Sequence, residues 1–574
     1  MMLTEEVPSM KAKRPVVAIA LDSADPQAMQ AWMSQGYLKN FQKLIQSGVY
    51  GSVKNTVQYG GEAVETASTE RLWTTTWAGC RPDKTGCWDS YKYLPDSYSM
   101  IWDDPEKIGC DYTEFPPFYA LGNEYKVAAF DLSSSGLSDR VNGLQVLGWG
   151  GHYPFTVSQS LPANLLPDLI QQYGKNEILN NDAGEWFDGR FIEWMDRACQ
   201  QSVATRSKIY LDLLKRDTWD LFVVGFPEIH SAGHELIHLS DKNHPLYSTY
   251  KAKFAPDFDP LLNTYEAVDR AIGELLDEVS EDTYVVCFSV HGMGNNVTDL
   301  SSMAILPEVL YRFNFPGKVA LAPGKSSVAP PPTITRPIRN SWVGEIWVKN
   351  YEPNPLWRAL KVWIPKQFLP QNVNGLLSPW SLNKLSIKPD WLPGMWYSPL
   401  WPQMKAFALP GFVDGQIRIN LQGRDSQGIV PYSEYNGLCE TLIDILYDLK
   451  DARTNERLVE KVVRTRRYPE EDYDNPNLPD ADLVAIWNTK SGIFMDVVDS
   501  SKLGRIGPLP HARPGGHRHD GFFTAKGQGI EAGSKLHDIE GVDIGPTILE
   551  MLGAPIPVHL DGSPQLSPSF SSPV

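Results

Sequence analysis

Cysteine is scarce in this chain: six thiols in 574 residues, at Cys80, Cys87, Cys110, Cys199, Cys287 and Cys439, with no paired spacing. A disulfide framework is therefore excluded as the organising device, and a reduced, cytoplasmic setting is expected. Cys80 with Cys87 is the one pair close enough in sequence to question. Long apolar runs are missing too. Nothing approaches the roughly 20 apolar residues of a spanning helix, so no transmembrane segment is expected. The polar stretch Met1 to Arg14 leads into an apolar run too short for a signal peptide. Positive charge is in deficit, with 52 Lys and Arg against 69 Asp and Glu and a net charge of −17. That balance argues against nucleic acid or an anionic membrane as the main partner, leaving only local basic pockets open. Internal repeats are absent.

What is present reads as a large globular α/β chain. Its length exceeds what one core normally supports, so two domains or one α/β domain with insertions are expected. Short apolar runs at Pro15–Leu21, Leu221–Val224 and Tyr284–Phe288 suit strands buried on both faces of a mostly parallel sheet. Helix-like segments such as 196–215 and 261–279 alternate with them. From 304 to 404 the texture turns to proline and tryptophan, including Ala329-Pro330-Pro331-Pro332 and eight of the 18 tryptophans between Trp342 and Trp401. We read it as a cap or lid insertion whose indoles serve chiefly as packing, with an apolar wall over the site or a surface for a lipid-like substrate as the second reading. The expected organisation is a core over 15–303, the insertion over 304–404, and the rest of the core, with a small α+β section, over 405–565. Within that last part, a strand is expected at 415–420, a helix from 432 to about 450 and a closing helix at 546–552.

Five polar patches lie at or near the ends of these runs, where ligands of open α/β sheets gather. Asp22 follows the first strand and offers an anionic oxygen to a cation, although strand-end aspartates also cap helices, as Asp25 before Pro26 is placed to do. Thr69 stands at a helix start, where the dipole and free amides favour a phosphate and a hydroxyl can be activated; a plain helix cap is the alternative. His230 and His234, four residues apart, share one face of a helix and suit chelation. His238 continues that face, as a supporting residue or an exposed one. His291 again ends a strand, and Gly515-Gly516-His517-Arg518-His519 carries one or two imidazoles in a glycine-rich turn.

In this order the patches resemble the alkaline phosphatase superfamily, in particular its type I phosphodiesterase and nucleotide pyrophosphatase branch. The resemblance runs over nearly the whole chain: strand-end Asp22, the spacing from Thr69 to Gly79 with Pro82 beyond, Ser289-Val290-His291-Gly292-Met293, Gly515-Gly516-His517, and 543–553 with Asp561-Gly562 after it. It implies an alkaline-phosphatase-like sandwich, a mostly parallel sheet flanked by helices. It also implies a metal-dependent hydrolase of small phosphate esters, most expectedly a phosphodiesterase, with one or two divalent cations, zinc first among them. By the same resemblance Thr69 is the nucleophile, Asp22, Thr69 and His291 serve one metal, and His230, His234 and His517 the other.

Three departures from the family pattern stand out. Val290 replaces a ligand aspartate. His230 stands where an aspartate is usual, with Glu228 and Asp25 as possible substitute carboxylates. Leu72 replaces an asparagine that holds a phosphoryl oxygen, leaving Arg71 as the nearest substrate-binding group. Thr69-Glu70-Arg71-Leu72-Trp73 lacks the Cys-x-Pro-x-Arg or Ser-x-Pro-x-Arg of formylglycine sulfatases. The alternatives are a related phosphonate or sulfate ester hydrolase or transferase, and a binding protein of the same fold that has lost turnover at Val290.

Overall fold

The computed structural model describes residues 13–102, 110–150, 157–182, 184–327, 330–331, 333, 341–365, 368–466, 475–489 and 494–567. Most of the polar N-terminus and part of the Pro-rich run at 329–332 lie outside the described residues.

A nine-stranded sheet organises the chain. Its strands lie side by side in the order 534–535, 49–54, 520–526, 284–289, 16–21, 221–226, 122–130, 141–147 and 159–161. From 284–289 to 141–147 neighbours run parallel; 520–526 is antiparallel to both of its neighbours. The three runs expected to be strands occupy its middle. The first shows why they are apolar throughout. Val17, Ile19 and Leu21 join the core on one face, while Val16, Ala18 and Ala20 join the core on the other. Side chains alternate between faces along a strand, so a strand covered on both sides needs apolar residues at every position.

Helices 189–215, 228–236 and 260–278 share the first face's core, whereas helices 69–78 and 541–552 share the second's. This is the helix-flanked, mostly parallel α/β sheet that the sequence implied. Helix Gly189–Lys215 starts earlier than its apolar pattern indicates, because the Asp188 side chain accepts from the Arg190 amide and caps it.

A separate four-stranded antiparallel sheet is built from 406–409, 415–419, 483–487 and 459–464. It shares one apolar cluster with 304–404 and with the small hairpins between Val57 and Trp102. The chain rejoins the large sheet only at 520–526. Trp347, Trp396 and Trp401 are fully buried in that cluster, as packing residues. All six cysteines are free thiols. No described helix is long and apolar enough to cross a membrane.

Candidate active site

Parallel strands end together, and their exits carry Asp22, Phe226 and Ser289 to one edge of the sheet. Asp22 is buried there, its Oδ1 accepting from the Trp73 indole at 2.9 Å and its Oδ2 from Ser133 Oγ at 2.8 Å. Burial opposes its ionisation. His230 and His291, 3.2 and 3.6 Å away, together with the Trp73 bond, outweigh burial and hold the carboxyl well below the usual range.

Thr69 is the first residue of the buried helix Thr69–Ala78, which Gly79 ends in a left-handed conformation at φ 63°. Its Oγ1 lies 3.0 Å from His291 Nε2 and 3.2 Å from each ring nitrogen of His517. First-turn amides have no partner within the helix, so they and the helix dipole face whatever anion approaches Thr69. Burial also lowers the basicity of His291, against the pull of Asp22, which favours a neutral ring.

His230 and His234 project from helix Glu228–Leu236 with ring centroids 4.6 Å apart. His517 meets both, its Nε2 lying 3.3 Å from His230 Nε2 and 3.0 Å from His234 Nε2. One nitrogen from each ring falls within 4.8 Å of the others, an arrangement able to hold a cation. His234 Nδ1 donates to the Gly515 carbonyl at 2.8 Å, which fixes its tautomer and turns the Nε2 lone pair to the centre of the trio. Strand Gly515–Arg518 carries His517 into position by pairing with Gly292–Asn295, Met293 opposite His517. Glycine is required at 515: a Cβ there would stand 2.1 Å from the Gly233 carbonyl oxygen. Gly292 is constrained similarly, since its Cβ would meet Asp25 Oδ2 at 2.7 Å.

The two halves of this cluster are not separate. His230 touches Asp22 through Nδ1 and His517 through Nε2, and Thr69 touches His291 and His517. Asp22, Thr69, His230, His234, His291 and His517 thus form one continuous group.

The other sequence candidates have different surroundings. Glu228 accepts from Ser202 Oγ at 2.5 Å and Arg206 Nε at 2.7 Å, and Arg206 also meets Asp131 at 2.9 Å, so this carboxylate belongs to a buried ion network. Asp25 caps helix Pro26–Ser34 through the Ala28 amide, and burial pushes its carboxyl up. Val290 packs in the apolar core beside helices 69–78 and 541–552, and its carbonyl accepts from Asn55. His519 sits 3.3 Å from Glu65, and His238 is buried against Trp186 and Tyr250, away from the imidazole trio. Arg71 is almost wholly buried; its guanidinium donates to the Trp88 carbonyl and Thr66 Oγ1 and lies 3.6 Å from both Asp89 and Asp414.

A cavity of about 470 Å³ opens over the cluster, with His230, His517 and Ser68 in its floor. Its walls include Arg71, Asp89, Trp102, Trp342, Trp391 and Phe412, so the tryptophan-rich segment contributes indoles to the cavity as well as to packing. Asp182, Glu235, Asp299 and Arg513 also line it and were not singled out from sequence. Asp182, Asp299 and Arg513 lie in stretches with no apolar period, and only the fold brings them in, whereas Glu235 directly follows His234 in the helix that the histidine pair had marked.

The sequence profile of the family described as type I phosphodiesterase / nucleotide pyrophosphatase matches residues 16–327, more than half of the chain. No curated protein sequence matches significantly. Similar solved structures include phosphonoacetate hydrolase from Sinorhizobium meliloti 1021 in complex with phosphonoformate, at 12% identity and a TM-score of 0.44, with 94% of this chain and 96% of that one covered. Murine ectonucleotide pyrophosphatase / phosphodiesterase 5, as an inactive variant in complex with AMP, is similar at 11% identity and a TM-score of 0.44, with 96% and 98% covered.

Proposed function

Given that the chain belongs to the type I phosphodiesterase / nucleotide pyrophosphatase family of the alkaline phosphatase superfamily, we propose that it is a metal-dependent phosphodiesterase with Thr69 as nucleophile. The observation that carries this reading is the convergence on Thr69 Oγ1 of His291 Nε2 at 3.0 Å and both His517 nitrogens at 3.2 Å, beside a buried aspartate. A hydroxyl 3.0 Å from His291 Nε2 and facing the ring edge of His517 at a helix N-terminus is placed for activation rather than for capping alone.

The donor set suits a divalent cation. Three imidazoles close enough to share one ion, one of them oriented by a backbone carbonyl, match a zinc-type preference for nitrogen ligands. We assign His230, His234 and His517 to that ion, and Asp22, Thr69 and His291 to a second. Such ions, when bound, supply positive charge that favours the threonine alkoxide and offsets charge on the phosphoryl group. The residues do the rest. Thr69 Oγ1 passes its proton to His291 Nε2, 3.0 Å away, and attacks phosphorus. The bond to the leaving oxygen breaks and that oxygen departs as an alcohol with a proton. Water then cleaves the Thr69 phosphodiester, releasing the monoester and restoring the threonine hydroxyl. Ser133 and Trp73 keep Asp22 oriented, and the first-turn amides of helix 69–78 bind the transferring group.

The Asp22 side offers one carboxylate, because Val290 is apolar and Glu228 is engaged by Arg206. Less negative charge gives weaker divalent binding. We therefore expect the imidazole site to fill first and the Asp22 site to hold metal loosely. The test joins metal analysis to kinetics on phosphomonoester, phosphodiester and sulfate ester substrates. Thr69→Ala should abolish diester turnover while retaining the fold and the ion of the imidazole site, and Thr69→Ser should restore part of the turnover. Near-normal turnover by metal-replete Thr69→Ala would remove Thr69 from the mechanism. Ester binding without turnover in the metal-replete native protein would favour a binding protein instead.

A further inference from the structure

Cysteine reactivity follows thiolate character and access, and the six thiols divide on both counts. Cys80, Cys199, Cys287 and Cys439 are buried, and burial pushes each of them up, whereas Cys87 and Cys110 are half-buried. Cys80, the thiol that stands nearest to Cys87 in sequence, donates to the His559 carbonyl at 3.2 Å. The partner of Cys87 is Cys110: the two thiols hydrogen-bond to each other, with Cys110 as the donor. Among the described residues neither belongs to a group of three ligands close enough to hold one metal ion. Their contact therefore calls for a different chemistry.

Local chain geometry makes Cys87 the nucleophile of the two. It follows the short helix Pro82–Thr85, which Gly86 ends in a left-handed conformation at φ 72°, and its own sulfur lies 3.6 Å from the Thr85 carbonyl. The Cys110 thiol, the Thr85 hydroxyl and the Asp111 amide all donate to that sulfur and hold it below the usual thiol range against the effect of burial. Cys110 moves the other way, because donating to Cys87 and burial both favour its protonated form. Cys87 also lines a cavity of about 300 Å³ between residues 85–92 and 476–480, which gives a small reagent access to it.

We propose that Cys87 and Cys110 form a redox-active dithiol, which a low-molecular-weight disulfide such as glutathione disulfide oxidises reversibly to an intramolecular disulfide. The Cys87 thiolate attacks one sulfur of the reagent, the reagent's S–S bond breaks, and one glutathione leaves and takes up the proton that Cys87 gave to solvent. Cys110 then loses its proton and attacks the Cys87 sulfur, the mixed S–S bond breaks, and the second glutathione leaves with that proton. Two protein thiols become one disulfide as one reagent disulfide becomes two thiols. Asp89, Ser90, Tyr91 and Trp102 stand between Cys87 and Cys110 in the chain and line the cavity over the imidazole cluster, and the Trp88 carbonyl accepts from Arg71. The new bond ties the two ends of that wall together. The site is independent of the hydrolase reading and lies outside the residues assigned to turnover.

The experiment is incubation of the reduced full chain with glutathione disulfide, alkylation of the remaining thiols in denaturant, and peptide mapping by mass spectrometry without reduction. A peptide pair joined through Cys87 and Cys110 is expected, with the other four cysteines alkylated and the link removed by dithiothreitol. Cys110→Ser should stop at the mixed disulfide on Cys87. Cys87→Ser should react with the reagent about ten-fold more slowly than Cys110→Ser does, since the thiolate fraction governs the rate. The oxidised native chain should unfold at higher urea than the reduced one, because a cross-link restricts the unfolded chain, and both variants should lose that difference. Far-UV circular dichroism matching the native chain reports an intact fold in the variants. Alkylation of all six native cysteines overturns the proposal, and so does a link between any other pair in its place. Equal rates in the two variants remove Cys87 as the attacking thiol, and an oxidised chain no more stable than the reduced one overturns the bond as a restraint on the wall.

Discussion

Glu228 and His234 show how much depends on the direction in which one side chain points. Both are buried on the same short helix. His234 faces His517 and is oriented by the Gly515 carbonyl, whereas Glu228 pairs with Arg206. Proximity in sequence made Glu228 a natural substitute for a missing ligand carboxylate, but the helix directs it to a different task. The two residues should accordingly separate in experiment. His234→Ala should lower bound metal by about one ion per chain with little loss of stability in the metal-free state. Glu228→Gln should leave metal content unchanged and cost about 3 kcal/mol or more, since Arg206 would remain buried with Asp131 alone. Metal analysis beside urea denaturation distinguishes them, and a loss of metal from Glu228→Gln would return that carboxylate to the ligand set.

At the scale of elements, strands were the most legible feature, because burial on both faces leaves an uninterrupted apolar run, as at Val16–Leu21 and Tyr284–Ser289. Helices Pro260–Glu278 and Tyr435–Asp448 lie where their pattern indicated, while the closing helix, expected from 546, begins at Gly541, where the Glu540 and Asp543 side chains form a capping box and Pro546 is accommodated inside the helix. The glycine-rich turn at 515 was legible in composition only. Its chain is a strand paired with Gly292–Asn295, a long-range pairing that no local period announces. Contacts to Asp22 from Trp73 and Ser133 were hidden for the same reason. Tryptophan count could not sort indoles by role, since Trp396 is core, Trp391 lines the cavity and Trp363 is exposed. The close approach of strand 515–518 to helix 228–236 gives an element-scale prediction. Gly515→Ala would set a Cβ 2.1 Å from the Gly233 oxygen, push the two elements apart and separate His517 from His234. A stability loss of about 1–3 kcal/mol is expected together with weakened metal binding. Native metal affinity in a folded Gly515→Ala protein would mean that this approach does not govern the trio.

Across the whole molecule, Arg71 joins the two sheets. It projects from a helix packed on the large sheet and lies 3.6 Å from Asp414, which leads into strand Gly415–Ile419 of the smaller one, and equally close to Asp89. Its guanidinium is already engaged by the Trp88 carbonyl, Thr66 Oγ1 and these two carboxylates. Burial pushes the Asp89 carboxyl up from its ordinary 3.8 to about 7, the neighbouring Arg71 and the bond from Gln416 only partly opposing it. A carboxyl with a raised folded-state value binds its proton more tightly when folded. Its contribution to stability is therefore fully present below about pH 4 and is lost as pH rises through about 7. Asp89→Asn removes that titration while Asp414 still faces Arg71, so the variant should gain on the native chain as pH rises from about 5 to about 8. Denaturation midpoints measured across that range check it: the two curves should diverge with pH, and parallel curves would mean that Asp89 titrates as an ordinary carboxylate and that the junction between the sheets is insensitive to it.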